Sequence, residues 1–241
     1  MIIVALDFDL REKALNLVDT LKEYTPYFKV GLELFSRCGT SIVKEISDRN
    51  CKVFLDLKYH DIPNTVKSAA RVAIESGVWM YNIHALGGYE FMKSVAEFNK
   101  EYAEKVGVKP PLLIAVTVLT SLSNEDLKLV GIDSDVDTEV LRLAELAKRA
   151  GLDGVVCSAK EVRRIKENLG KDFITVTPGI RPSWAAKNDQ KRVVTPKDAV
   201  KLGTDYIVIG RPITRAPSPA EATKKILNEI NSLYLVIQIY K

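Results

Sequence analysis

The sequence predicts an α/β fold on a parallel sheet, and within that class a single-domain (β/α)8 (TIM) barrel. Three observations lead there. The chain has 241 residues, close to the roughly 250 that such barrels need. Eight short runs rich in Val and Ile recur along it, continuous rather than alternating, which marks parallel strands buried on both faces. A helical pattern follows each of them.

The elements can be taken in order. IIVAL (2–6) leads to REKALNLVDTLKEY (11–24), where Ala14, Leu17, Val18 and Leu21 recur at steps of three and four. YFKVG (27–31) is followed by TSIVKEISDR (40–49), KVFLD (52–56) by PNTVKSAARVAIESG (63–77), and WMYNIH (79–84) by YEFMKSVAEFNKEYAEKV (89–106). LLIAVTV (112–118) precedes DTEVLRLAELAKRAG (137–151), and GVVC (154–157) precedes AKEVRRIKENLG (159–170). FITVT (173–177) and YIVIG (206–210) precede PKDAVKLG (196–203) and PAEATKKILNEINSL (219–233). Gly77, Gly151, Gly170 and Gly203 stand where helices should stop. Eight such units fit a closed barrel and also an open doubly wound sheet. The dinucleotide-binding version of the open sheet is weakened, because no G-x-G-x-x-G follows the first strand. No Pro/Gly/Ser-rich linker divides the chain, so residues 1–241 form one domain.

Composition removes several function classes. The formal charge is only +4 and no basic stripe exists, which argues against nucleic acid as a partner. Ordinary apolar content without low-complexity tracts excludes disorder. Cys38, Cys51 and Cys157 are scattered and odd in number, as expected of reduced thiols. Two histidines, His60 and His84, leave little for a metal site. MIIVALDFDL lacks the basic start of a signal peptide, and no run approaches the roughly 20 apolar residues that cross a bilayer. The expectation is a cytoplasmic protein with no membrane partner.

Barrel enzymes carry their chemistry at the carboxyl ends of the strands. Here those ends hold Asp7, Lys29, Asp56-Leu57-Lys58, His84, Thr120-Ser121, Thr177-Pro178-Gly179 and Gly210-Arg211. The densest cluster is DLKYHD (56–61). In an extended chain Asp56 and Lys58 share a side, and with Asp61 beyond a turn the two carboxylates would hold the lysine charged. Such an ammonium can stabilise a developing anion and then protonate it; a solvated loop cluster is the bland alternative. Lys29, in the apolar run YFKVGLELF, either meets an anion or snorkels outward. Asp7 caps a helix or binds a hydroxyl. IVIGRPIT (207–214) suits a phosphate, with Gly210 and Arg211 as its donors. The long segment 179–196 reads as a lid or binding loop, with Arg181 and Gln190 as its ligand-facing candidates and Lys187, Lys191 and Arg192 competing. His60 and His84 read as structural.

In chain order, ALDFD (5–9), FKVGLELF (28–35), DLKYHDIPNTV (56–66), NIHALGG (82–88), VTVLTS (116–121), TPGIRP (177–182), DQKRVVTP (189–196) and IVIGRPIT (207–214) resemble the orotidine 5′-phosphate decarboxylase family, in its bacterial branch. The resemblance implies conversion of orotidine 5′-monophosphate to UMP and CO2 in de novo pyrimidine synthesis, without metal or organic cofactor. It implies that Lys58 protonates the carbanion at carbon 6, with Asp56 against the departing carboxylate and Lys29 and Asp61 completing a Lys-Asp-Lys-Asp network. Asp7 would bind ribose, Thr120 and Ser121 the pyrimidine, and Arg181, Gln190, Gly210 and Arg211 the phosphate, with Pro178 also at the substrate. Asp61, Ile62 and Thr65 would serve the neighbouring subunit's site, which implies a homodimer. Magnesium-dependent sugar-phosphate decarboxylases and aldolases share the barrel and D-x-K-x-x-D, but place glutamate in an E-V-G-T phrase where this chain has Lys29. A non-catalytic phosphate-binding barrel would have a broken Asp/Lys set, and here the set is complete. YLVIQIY (234–240) is apolar and strand-like, with no counterpart in the family pattern.

Overall fold

In the computed structural model, which describes residues 1–185 and 194–239, with side chains in the last helix to residue 232, the eight apolar runs close into one barrel. Strands β1 (Ile2–Ala5), β2 (Tyr27–Gly31), β3 (Lys52–Tyr59), β4 (Met80–His84), β5 (Leu112–Val116), β6 (Gly154–Val156), β7 (Ile174–Thr177) and β8 (Tyr206–Ile209) pair in parallel with their sequence neighbours. Closure comes from β8 lying beside β1, with Ile207 opposite Ile2 and Ile209 opposite Val4. That pairing settles barrel against open sheet, which the alternation of elements left undecided.

The helices are α1 (Arg11–Leu21), α2 (Leu32–Cys38), α3 (Ser41–Ser47), α4 (Pro63–Glu75), α5 (Tyr89–Lys105), α6 (Asn124–Leu129), α7 (Val136–Arg149), α8 (Ala159–Leu169), α9 (Pro196–Lys201), α10 (Arg211–Thr214) and α11 (Pro219–Ile239). Their apolar stripes cover the outward residues of the strands. Val4, Phe28, Val30, Val53, Leu55 and Ile83 pack against helix residues such as Leu17, Leu21, Val66 and Val95. Each fully buried Leu or Ile in this layer stabilises by about 2 kcal/mol. The stop glycines at 77, 151, 170 and 203 all adopt positive φ, as the left-handed end of a helix requires.

Three segments differ from the sequence expectation. Strand β2 ends at Gly31, as the run YFKVG predicts, but the residues after it, to which the sequence pattern assigns no element, form α2. Leu and Glu favour helix there. Helix α6 lies in the stretch between β5 and α7 and is held by a capping box, Ser123 and Asp126 bonding reciprocally. The tail expected to be strand-like continues α11 to Ile239. No Gly or Pro interrupts the chain after Pro219, and helix propagation is favourable once begun. A short apolar run does not by itself distinguish strand from helix. Tyr240 lies outside the described residues. Among the described residues no helix is long and apolar enough to cross a membrane.

Inside the barrel, alternate residues stack in layers. The amino end is sealed by Tyr27, Trp79 and Tyr206, whose ring centroids lie 4.7 to 5.8 Å apart. Above them sit Ile3, Phe54, Met80, Ile114 and Val176. The carboxyl end is open.

Candidate active site

Counting by twos up the first four strands shows how the interior becomes polar. The inward series run Ile3–Ala5–Asp7, Tyr27–Lys29, Phe54–Asp56 and Met80–Asn82. Each begins apolar at the sealed end and finishes polar at the open one, because a period of two keeps all its members on one face. The corresponding residues of the last four strands are Val116, Val156, Val176 and Val208. One half of the mouth is therefore charged and the other apolar.

The charged half forms a continuous chain of alternating sign. The Lys29 ammonium donates to Asp7 Oδ1 at 3.0 Å and stands 3.4 Å from Asp56 Oδ2. The Lys58 ammonium donates to Asp56 Oδ1 at 2.7 Å. Lys29 and Asp56 are nearly enclosed, their side chains 12% and 14% exposed, whereas Lys58 at 32% reaches into the mouth. Burial by itself would lower the Lys29 pKa, but the Asp56 and Asp7 charges outweigh it and hold the ammonium above its ordinary 10.5. Burial would likewise raise Asp56; Lys29, Lys58 and the hydrogen bonds to it keep its carboxyl below 3.8. Lys29 and Asp56 are thus both ionised at neutral pH.

Lys58 occupies an unusual backbone position. Its φ is +53°, in the left-handed region that a non-glycine residue seldom adopts. The β3–β4 register shifts between Leu55 and Tyr59, so Lys58 sits on a bulge, a device that re-aims side chains beside active sites. Simple alternation therefore does not account for its placement beside Asp56. Its N–H donates instead to Asn82 Oδ1 at 2.8 Å, and Asn82 Nδ2 donates to Asp56 Oδ1 at 2.8 Å. Asn82 is wholly buried. Sequence reasoning passes over it; the available signal is one polar residue inside the apolar strand WMYNIH.

Two adjoining cavities open on this chain. The first, about 170 Å³, has the four valines, Phe54, Leu119 and Thr120 as walls, with Lys58 at its polar side. The second, about 250 Å³, is lined by Asp7, Gly179, Arg181, Gly210 and Arg211. Lys29, Asp56, Pro178 and Val208 border both. An apolar chamber joined to a cationic one fits a ligand with a weakly polar body and an anionic end. At their junction, a fixed ammonium can stabilise negative charge developing on the ligand and deliver a proton to it.

The structure thus brings together Asp7, Lys29, Asp56, Lys58, Thr120, Pro178, Arg181, Gly210 and Arg211. Ser121 is exposed and does not line either cavity. Gln190, Lys187, Lys191 and Arg192 lie outside the described residues, though the neck of their loop is tied by the Arg181 N–H bonding to Val194 O at 3.0 Å. Asp61 does not flank Lys58 as the spacing suggested: among the described residues no ion pair joins them. Its carboxylate accepts the Ile62 N–H at 2.6 Å in the turn that starts α4. Asp61 and Thr65 are exposed, and Ile62 is 67% exposed. His84 stacks on His60, centroids 5.2 Å apart, and its Nδ1 accepts the Leu86 N–H. Burial, with the His60 and Lys58 charges nearby, pushes His84 down to about 4.

Comparison with known proteins agrees with this geometry. The family model described as "Orotidine 5'-phosphate decarboxylase / HUMPS family" matches residues 1–226. The chain is 51% identical over 229 residues to an orotidine 5′-phosphate decarboxylase of Saccharophagus degradans, covering 95% of this chain and 94% of that one. It is 53% identical over 225 residues to the enzyme of that name from Shewanella sediminis, covering 93% and 94%. The crystal structure of orotidine 5′-phosphate decarboxylase from Lactobacillus acidophilus superposes with a TM-score of 0.84 at 40% identity, covering 95% of this chain and 98% of that one.

Proposed function

The chain belongs to the orotidine 5′-phosphate decarboxylase / HUMPS family, and from that premise we propose that it decarboxylates orotidine 5′-monophosphate to UMP and CO2, without metal or organic cofactor. The observation that carries this reading is the Asp7–Lys29–Asp56–Lys58 chain at the junction of an apolar and a cationic cavity. The pyrimidine enters the valine-lined chamber beside Thr120, with Ser121 outside that lining, Asp7 takes a ribose hydroxyl, and Arg181, Gly210 and Arg211 take the phosphate. Gln190 joins the phosphate from the loop.

The reaction breaks the bond between carbon 6 and its carboxylate. CO2 departs and the electron pair stays on carbon 6, with no electron sink to receive it. The Lys58 ammonium faces that carbon, stabilises the pair and transfers its proton there; the neutral amine regains a proton from solvent. Asp56 holds the ammonium in line and stands against the departing carboxylate. Preorganised charge of this kind costs no rearrangement at the moment of reaction. Binding at the remote phosphate supplies energy for positioning.

The magnesium-dependent sugar-phosphate reading is less favoured, because the Lys29 ammonium already fills the space between the Asp7 and Asp56 carboxylates. The discriminating experiment follows loss of ultraviolet absorbance of orotidine monophosphate in EDTA. Turnover in the wild type, abolished in Lys58→Ala, is expected. Activity only on a sugar phosphate, and only with magnesium restored, refutes the proposal. A homodimer completes it: Asp61, Ile62 and Thr65, exposed on one rim, enter the neighbouring subunit's site.

A further inference from the structure

We propose that Asn82 is a positioning residue for both the proton donor and its counter-ion: one carboxamide holds the Lys58 backbone in its left-handed turn and holds Asp56 by its Oδ1. The inference rests on the decarboxylase reading and deepens it.

A buried amide is costly unless both its ends are hydrogen-bonded. Asn82 is 0% exposed on β4, between the core residues Tyr81 and Ile83. Its hydrogen bonds both run to β3, the oxygen to the Lys58 N–H and the nitrogen to Asp56 Oδ1, each at 2.8 Å. The partners fix the orientation of the amide, since only oxygen can accept an N–H and only NH2 can donate to a carboxylate. At the bulge the ordinary ladder between β3 and β4 is interrupted, and the Asn82 oxygen takes the place of a strand carbonyl. That bond offsets the strain of φ +53° at Lys58. The other end of the amide shares Asp56 Oδ1 with the Lys58 ammonium, so the carboxylate cannot rotate without breaking two bonds.

No other common side chain of this size does both. Aspartate keeps the acceptor but loses the donor and sets a second negative charge against Asp56. Alanine loses both. The phosphate chamber is not lined by Asn82, so substrate affinity should be left nearly intact.

The test measures kcat and KM for orotidine monophosphate in wild type, Asn82→Ala, Asn82→Asp and Asn99→Asp, with thermal unfolding of each. Asn99 is the control: it is equally an amide in the core, 3% exposed, but bonds the Tyr81 hydroxyl and Pro111 O, away from the cleft. Both Asn82 variants should lose about a hundredfold in kcat, the scale of an ångström-sized misplacement, with KM nearly unchanged. Asn99→Asp should lower Tm and keep kcat. Asn82→Asp preserves the side-chain volume and carries the test if Asn82→Ala does not fold. Wild-type kcat in a folded Asn82 variant, a loss expressed mainly in KM, or an equal kcat loss in Asn99→Asp overturns the positioning role. A wild type inactive on orotidine monophosphate fails the decarboxylase reading itself, and this inference with it.

Discussion

The Lys29 ammonium is held from three sides, and the third is a residue with no side chain. Gly31 follows Lys29 by two positions on β2, and a Cβ there would lie 2.8 Å from Lys29 Nζ and 3.4 Å from Asp7 Oδ1. The Gly31 backbone itself is ordinary, at φ −98°, so an alanine is admissible conformationally and acts through the contact alone. The lysine tip is flexible and gives way, which spares the fold and disturbs the ion chain. Gly31→Ala is therefore expected to lower kcat by about tenfold through sub-ångström displacement of the ammonium, with Tm little changed. Steady-state kinetics beside thermal unfolding check this, and an unaltered kcat would remove the space-keeping role.

Among elements, the ion chain ties β1, β2 and β3 together at their open ends, where strand pairing is finishing. Its contribution depends on pH in a definite sense. Asp56 is held below 3.8 in the folded protein, so its stabilisation is present above that value and is lost as pH falls through the lower folded pKa. Lys29 is held above 10.5, so its stabilisation is present below that value and is lost as pH rises through the higher folded pKa. The Tm difference between wild type and Lys29→Met should be widest between those limits and narrow on either side. A difference independent of pH contradicts the coupling. The bulge in β3 is the other decision made by elements. It lengthens the strand to Tyr59 and directs Lys58 into the same mouth as the valines of β5 to β8.

For the whole molecule, the deciding feature is the exposed rim formed by Asp61, Ile62 and Thr65. If these residues complete the neighbouring subunit's site, two inactive variants should rescue one another. Mixing Lys58→Ala with Asp61→Asn and allowing subunits to exchange should restore about a quarter of wild-type activity, since half the dimers are mixed and each mixed dimer has one intact site. Sedimentation should show dimers in the same samples. Continued inactivity of the mixture, with subunit exchange demonstrated, would place Asp61 in its own chain's site.

Much of the architecture is legible in the chain itself. The eight continuous Val/Ile runs, the glycine-stopped helices and the polar residues at strand ends depend on local periodicity, and a chain of buried parallel strands writes that period plainly. Asp7, Lys29, Asp56 and Lys58 are legible for the same reason, each being polar within or at the end of an apolar run. Closure is not, because the β8–β1 pairing joins the two ends of the chain and leaves no local mark. The role of Asn82 is hidden likewise, since its partners lie 24 and 26 residues away on another strand. The helical course of the tail follows from propagation of α11 rather than from its own composition. Sequence by itself determined which residues carry charge and how often they face inward. Tertiary structure alone decided which charges meet, because a buried ion pair is fixed by distances between strands, and those exist only once the barrel has closed.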